Sequence, residues 1–475
     1  MKYNLYILSL IMICLMSSCE DVFKSIDDLE PSYKLTEENA YTDAGKVEAA
    51  LAGLYATWRI AGGSYLPGNI MSLSGNMADS GGSDYNTNTV ADDNGDNVFD
   101  YDNYYKLIQG ASFLIDNIKG DQEIQGLEDA RRKEIEAEAR LSRAMCHFGL
   151  LELYGQFYDL NSQYGIVTRM VASREYETPA RSTVQQSYDA ILEDLNFAVD
   201  HAPVISVHHK FSQTTAKAIK AKVLLYMKDY TKAAALALEV MGDPNHALQA
   251  DYNSIFAAGH SAQEVLFAPY SVAWTQRVLT YVDIYYEPLN ITDIADAEVD
   301  DIVDGGGNVV EKRYDTRYTY AFIEGMPLGI SNQKYRLINP VEEGDKSNTF
   351  IKMRMAEVYL IYAEAIARDG DASNDNLALE RVNELRDRVS MPHKSAANNA
   401  ELLEVIRTEK NLELFAEGGQ PWFDMIRYYH NDIAKITAIK PTITSVNQLI
   451  LPIPRASLAG NSGLVQNPGY EVEVN

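Results

Sequence analysis

The stretch Ile351-Lys-Met-Arg-Met-Ala-Glu-Val-Tyr-Leu-Ile-Tyr-Ala-Glu-Ala-Ile-Ala-Arg-Asp-Gly370 decides the reading of the fold. Its apolar side chains Ile351, Met355, Val358, Tyr359, Tyr362 and Ile366 recur at three- and four-residue steps, the repeat of a helix with a buried face, and Gly370 supplies the stop. After Asp369-Gly370-Asp371 the pattern restarts, with Ala378, Val382, Leu385 and Val389 on one face and arginines and glutamates opposite. Two apolar stripes joined by so short a turn are expected to bury themselves against each other as an αα-hairpin. A third helix is expected over Glu401 to Glu417. It leads through Gly418-Gly419-Gln420 into Pro421-Trp422-Phe423-Asp424-Met425-Ile426-Arg427, and Leu451-Pro-Ile-Pro454 and Gln466-Asn-Pro-Gly-Tyr470 follow.

These strings carry a resemblance. They stand as Arg354-x-Ala356-Glu357-Val358-Tyr359-Leu360-x-Tyr362-Ala363-Glu364-Ala365, Glu409-x-x-x-Glu413-Leu414-x-x-Glu417-Gly418, Trp422-Phe423-Asp424-x-x-Arg427 and Pro452-Ile453-Pro454. A further match is Glu138-Ala-Arg140-Leu-x-Arg143-Ala144-x-x-x-Phe148-x-Leu150-Leu151-x-Leu153-Tyr154-Gly155, with smaller ones at Tyr104-Tyr105 and Asp315-Thr-Arg317. In this order and spacing the sequence resembles the SusD/RagB family of surface lipoproteins, which help Bacteroidetes-type bacteria take up glycans or peptides, over almost all of residues 20–475. One departure is Gly419-Gln420-Pro421, where the family usually carries a His-Arg type pair before the Trp. The resemblance implies a mainly α fold, a tetratricopeptide-like scaffold of helical pairs with a loop-rich irregular lobe. It also implies a partner, a SusC-like TonB-dependent transporter of the outer membrane, which the chain would close like a lid. The ligand site would lie among loops of an early polar insert and a central lobe.

Composition and the start of the chain agree with a folded, exported protein. At 475 residues, 46% hydrophobic and 23% charged, the chain has ample core. A formal charge of -27 argues against nucleic acid, whose phosphates an acidic surface repels. Residues Met1 to Ser18 read as a signal peptide, with Lys2, an apolar run from Leu5 to Met16 and small residues before Cys19. That run is shorter than the roughly 20 residues needed to span a bilayer. Leu15-Met-Ser-Ser-Cys19 has lipobox spacing, so Cys19 is the expected lipidation site, with acyl chains contributing about 0.8 kcal/mol per buried methylene. Residues 19–34 are expected to form an acidic tether. With Cys14 lost and Cys19 acylated, Cys146 is left alone on an apolar helix, where burial is the expectation.

Residues 35–475 are expected to form one unit, with a helical scaffold over 35–260 and 350–430, an irregular insert over 261–349 and a C-terminal extended segment over 431–475. A helix is expected from about Thr36 to Ile60 and another from Tyr101, with a long polar loop between Gly62 and Asp100. Further helices are expected over Arg131–Gly155 and after Arg181-Ser-Thr-Val184. Thr214–Met227 and Tyr230–Met241 read as a tetratricopeptide-like pair. Helical periodicity stops between Gln263 and Thr349, where Val265-Leu-Phe267 reads as a short strand.

Enzyme constellations are missing: the chain has no His-Glu-x-x-His, no Gly-x-Ser-x-Gly and no phosphate-cradling loop, and Gly305-Gly306-Gly307 reads as a turn. A pair of glycosidase carboxylates would be invisible among 68 acidic residues. Adjacent His208 and His209 read as solvated. Asp92, Asn94 and Asp96 suggest calcium by spacing but lack the glycine and glutamate of an EF-hand, so no cofactor or metal is expected. Aromatic content is more telling, with 31 tyrosines against 13 phenylalanines. Tyrosine offers a flat apolar face and a polar tip, which suits sugar rings. Those at helical positions are expected in the core. Tyr65, Tyr85, Tyr281, Tyr285, Tyr286 and Tyr335 lie outside the helical pattern and are the candidate ligand contacts. Trp274, in Ser271-Val-Ala-Trp274-Thr, is the first candidate for a sugar platform, while Trp58 and Trp422 fall on helices. The reading is a non-catalytic surface protein that captures a glycan, with peptide capture, a surface glycoside hydrolase and a protein adaptor as alternatives.

Overall fold

The computed structural model describes residues 40–61, 66–75, 78–79, 83–120, 123–204, 207–270, 286–287, 298–303, 305–317, 322–326, 329–332, 349–415 and 417–470. Helix α1 (Ala44–Ala61) begins at least eight residues later than Thr36 predicts. The polar stretch after it holds helix α2 (Leu66–Ser74) and strand β1 (Ala78–Asp79) and is not one long loop. Helix α3 (Gly95–Ile118) starts before Tyr101, because the Asn94 side chain accepts from the Asp96 and Asn97 amides and caps the first turn there. Helix α4 (Asp129–Tyr154) and α5 (Val184–His201) follow, the latter opened by a Thr183/Gln186 capping box. The pair α6 (Gln213–Tyr226) and α7 (Tyr230–Met241) is broken at Lys228-Asp229 as its sequence predicts, with Asp229 capping α7.

After α8 (Tyr252–Ala258) and β2 (Val265–Phe267) the central lobe contributes β3 (Tyr286–Glu287) and two hairpins. These are β4 (Glu298–Val303) with β5 (Val309–Tyr314), and β6 (Phe322–Met326) with β7 (Gly329–Asn332). The three glycines at 305–307 lie in the turn of the first hairpin, with Gly307 at φ 81°. The chain then returns through β8 (Met353–Arg354) into α9 (Met355–Arg368), α10 (Asp375–Asp387), α11 (Asn399–Glu413) and α12 (Gln420–Tyr429). The segment expected to be extended contains short helices α13 (Ile433–Ile439) and α14 (Arg455–Ala459). The described chain is therefore mainly α.

Consecutive helices pack on one another from α3 to α7, and α9 then packs against α6, α7, α10 and α11. The expected α9–α10 hairpin forms, but α9 is buried on every side: even Glu357 and Glu364 on its polar face are covered. A single stripe in the sequence thus becomes the central helix of the scaffold, because four neighbours close around it. Cys146 and Trp58 lie in the same core, and burial pushes the Cys146 thiol up, away from reactivity.

The family-type motif residues turn out to be the ionic core of this scaffold. Glu364 on α9 accepts from both Nη atoms of Arg427 at 2.9 and 2.8 Å, and from Lys410 Nζ at 3.0 Å. Lys410 Nζ also reaches Asp424 at 3.0 Å. Between α4 and α5, Arg143 Nε and Nη2 each lie 2.8 Å from Asp194. Buried charges survive only when their hydrogen bonds are filled in this way.

Candidate functional site

The two inserts flagged by sequence are brought together by backbone pairing. β1 of the early insert runs antiparallel to β3 of the central lobe, with Ala78 opposite Glu287 and Asp79 opposite Tyr286. β3 in turn lies against β7. Segments some two hundred residues apart in sequence are therefore joined by strand pairing.

Each insert is fastened to the scaffold. In the early insert, Asn88 Nδ2 donates to Leu73 O at 3.1 Å, while its own carbonyl accepts from Gln448 Nε2 at 3.1 Å. Lys440 Nζ donates to Ser72 O at 3.1 Å. Helix α2 packs on α12 at Gly419, whose φ is 74° and where a Cβ would fall 2.4 Å from Ile70 Cγ2. At this left-handed φ and so close to Ile70 the position needs glycine, because a larger residue would push α2 away.

The central lobe is held by paired strands and by charge. β2 and β8, at its two ends, are hydrogen-bonded antiparallel neighbours. Arg354 Nη1 lies 2.6 Å from both Glu264 Oε1 and Glu413 Oε1, and its Nε 2.6 Å from Glu417 Oε2. Arg317, on the lobe, donates from Nη2 to Asp315 at 2.6 Å and from Nη1 to Glu409 and Glu413 at 2.6 and 2.8 Å. Arg386 completes Glu409, and Arg388 bonds to both Glu264 and Glu413. A cleft of about 230 Å³ opens where the lobe begins, lined by Tyr55, Arg59, His209, Lys210 and Tyr270 among others. Arg59 stands over the Tyr270 ring at 5.9 Å.

Known proteins share this architecture. A sequence model of the SusD family matches residues 306–470, and a second, described as "Starch-binding associating with outer membrane", matches residues 40–225. The chain belongs to the SusD-like family. A SusD-like protein of Bacteroides ovatus is 23% identical, covering 87% of this chain and 80% of its own length. SusD-like protein P38 of Formosa agariphila is 24% identical over 98% of this chain and 99% of its own. Among solved structures, a SusD superfamily protein from Bacteroides thetaiotaomicron superposes with a TM-score of 0.72 at 20% identity, covering 90% of this chain and all of that one. A SusD-like carbohydrate binding protein from Bacteroides vulgatus gives 0.62 at 19%, covering 82% and 84%.

In this SusD-like chain the candidate residues fall into three groups. Trp274, Tyr65, Tyr281, Tyr285 and Tyr335 lie outside the described residues, as does Cys19. Tyr286 is placed in β3, opposite Asp79. Tyr85 is a correction: it is 2% exposed and part of the main core, so its ring has no free face for a ligand. The loop around it folds down onto the scaffold, and its tyrosine serves packing.

The structure also places His208 and the residues Asp92, Asn94 and Asp96. His208 is not solvated: its Nδ1 lies 2.6 Å from Ala262 O, its ring 5.0 Å from His246, and burial pushes it below the ordinary imidazole value. Asp92 pairs with Arg455 at 2.7 Å, Asn94 caps α3, and Asp96 accepts from Asn69 at 3.2 Å, so all three have other partners. Among the described residues no group of three His, Cys, Asp or Glu could hold a metal. Tyr270 was missed by sequence reasoning. Its signal was its place in Ala268-Pro-Tyr270-Ser, four residues before Trp274.

Proposed function

We propose that this SusD-like chain captures a glycan outside the cell and hands it, chemically unaltered, to a SusC-like TonB-dependent transporter, while Cys19 carries the lipid that holds it at the outer membrane. The observation that carries this reading is the β1–β3 pairing, which joins two tyrosine-bearing inserts on a helical scaffold. Trp274, Tyr65, Tyr281, Tyr285, Tyr286 and Tyr335 are the aromatic side chains to which this reading assigns the sugar contacts. Capture proceeds by stacking on sugar rings and by hydrogen bonds to hydroxyls, and no bond is broken. The description of the matching family model, starch binding in association with the outer membrane, supports the ligand class and the location.

The test is a binding screen of the purified protein against plant, host and microbial polysaccharides, with reducing ends counted before and after incubation. Binding without new reducing ends is the expected result. Steady release of reducing ends, abolished by a single Asp or Glu substitution, would replace capture with hydrolysis.

A further inference from the structure

A second groove lies between α3, the segment 167–177 and α14 with the turn that follows it, and the early insert reaches α14 where Asp92 bonds to Arg455 at 2.7 Å. Its volume is about 580 Å³, within the range of small-ligand sites. The three walls come from distant parts of the chain and are braced to one another. Tyr105 Oη donates to Val167 O at 3.1 Å, and Gln109 exchanges two hydrogen bonds with the Ser173 backbone, at 2.6 and 3.1 Å. Tyr176 Oη donates to Gly460 O at 2.7 Å, and Asn461 Nδ2 to Pro179 O at 2.9 Å. The groove is thus formed before any ligand arrives, which lowers the entropic cost of binding.

Its lining has a definite chemistry. Half-buried Tyr105, its ring centroid 4.9 Å from that of the core residue Tyr101, lines one wall, and Leu464 and Val167 add apolar surface. Arg169 is neutralised by Glu177 at 3.0 Å. Lys106 and Asp102 bring one charge of each sign and, with the Ser457 hydroxyl, line the groove with side-chain hydrogen-bonding capacity that no described residue fills. In a chain of net charge -27 this groove is locally neutral. Neutral walls that combine aromatic carbon with unfilled donors and acceptors match an uncharged, amphipathic ligand, and disfavour an acidic one.

We propose that this groove is a second saccharide site, taking one or two units of a neutral glycan separately from the surface formed by the inserts. The ligand class rests on the glycan-capture reading given above; the location does not. Two contacts per chain would let one polymer be held at two points, raising its effective affinity through the local concentration of the second site.

The experiment is titration calorimetry with neutral malto-, cello-, xylo- and manno-oligosaccharides, with oligogalacturonate as an acidic control. For a neutral oligosaccharide that binds, the wild-type protein takes two molecules per chain. Ser457→Trp, which fills the groove from a half-buried position, reduces this to one. Asp102→Ala and Lys106→Ala, at exposed positions, each weaken one of the two sites by roughly tenfold. Thermal melts of all three variants confirm that the fold is retained. One molecule per chain, unaffected by Ser457→Trp, overturns the second site and leaves the insert surface standing. One molecule per chain that Ser457→Trp abolishes supports the groove and overturns the insert surface. Binding of oligogalacturonate in the groove overturns the neutral-ligand assignment, and no binding of any neutral oligosaccharide overturns both readings.

Discussion

Replacing Arg317 by Leu isolates the charge that ties the central lobe to the helical scaffold. Four arginines, Arg317, Arg354, Arg386 and Arg388, face five carboxylates, Glu264, Asp315, Glu409, Glu413 and Glu417, nearly all fully buried. After Arg317→Leu, Glu409 keeps Arg386, and Glu413 keeps Arg354 and Arg388. Asp315 loses the guanidinium that bonds both its oxygens, and three cations remain against the same five carboxylates. Removing one partner from a buried ionic network costs about 3–5 kcal/mol. Unfolding entropy of ~2.1 cal/mol/K per residue amounts to roughly 1 kcal/mol/K for a chain this long, so Tm falls by about 3–5 °C. The double variant Arg317→Leu/Asp315→Leu removes a cation and an anion together and should recover at least half of that loss. Scanning calorimetry of the three proteins decides the matter. A loss below about 1 kcal/mol for the single variant, the level of a surface pair, or a double variant no better than the single, would refute the argument.

Other consequences are equally direct. Gly419→Ala places a Cβ against Ile70 at a left-handed φ, and should cost at least about 1–2 kcal/mol in urea unfolding, partly relieved by Ile70→Ala. Trp274→Ala should weaken cognate glycan binding by about 1 kcal/mol or more, the lower end for an aromatic stack, as read by titration calorimetry. The pH profile of stability should have two regimes. Burial pushes His147 down to about 3, so from pH 6.5 downward the unfolded chain binds a proton that the folded one refuses, and stability falls. Burial pushes Glu152 up to about 7, so between pH 7 and 4.5 the folded chain holds a proton that the unfolded one releases, and stability rises as pH falls. These two oppose each other and leave a shallow region. Burial would raise the Glu364 and Glu413 carboxyls, but the surrounding cations outweigh it and hold both well below the ordinary range. Their contribution is present above pH 4.5 and is lost as pH falls below it, so urea midpoints should drop steeply only there.

Several parts of the candidate site were legible before any coordinates. The polar, tyrosine-bearing stretches 62–100 and 263–349 stood out because helical periodicity lapses there, and both contribute a strand to the β1–β3 seam. What pattern alone could not supply was which aromatic faces outward. Tyr85 and Tyr270 sit in similar polar surroundings, yet one is sealed in the core and the other lines a cleft. That difference is made by what folds over each ring, which no local window contains.

The amino-acid sequence by itself determined the long helices α4 to α7 and α9 to α11, since the spacing of apolar residues and the caps at Thr183 and Asp229 act within a few residues of one another. It also determined the family, whose sequence models match residues 40–225 and 306–470. Tertiary structure alone decided what the charged motif residues do. Arg317 meets Glu409 and Glu413 from more than ninety residues away, and Arg354 meets Glu264 across ninety. A charge reads as a solvated face until burial removes its water. Only the three-dimensional arrangement of partners determines whether it is then a liability or the bond that keeps a binding lobe in place.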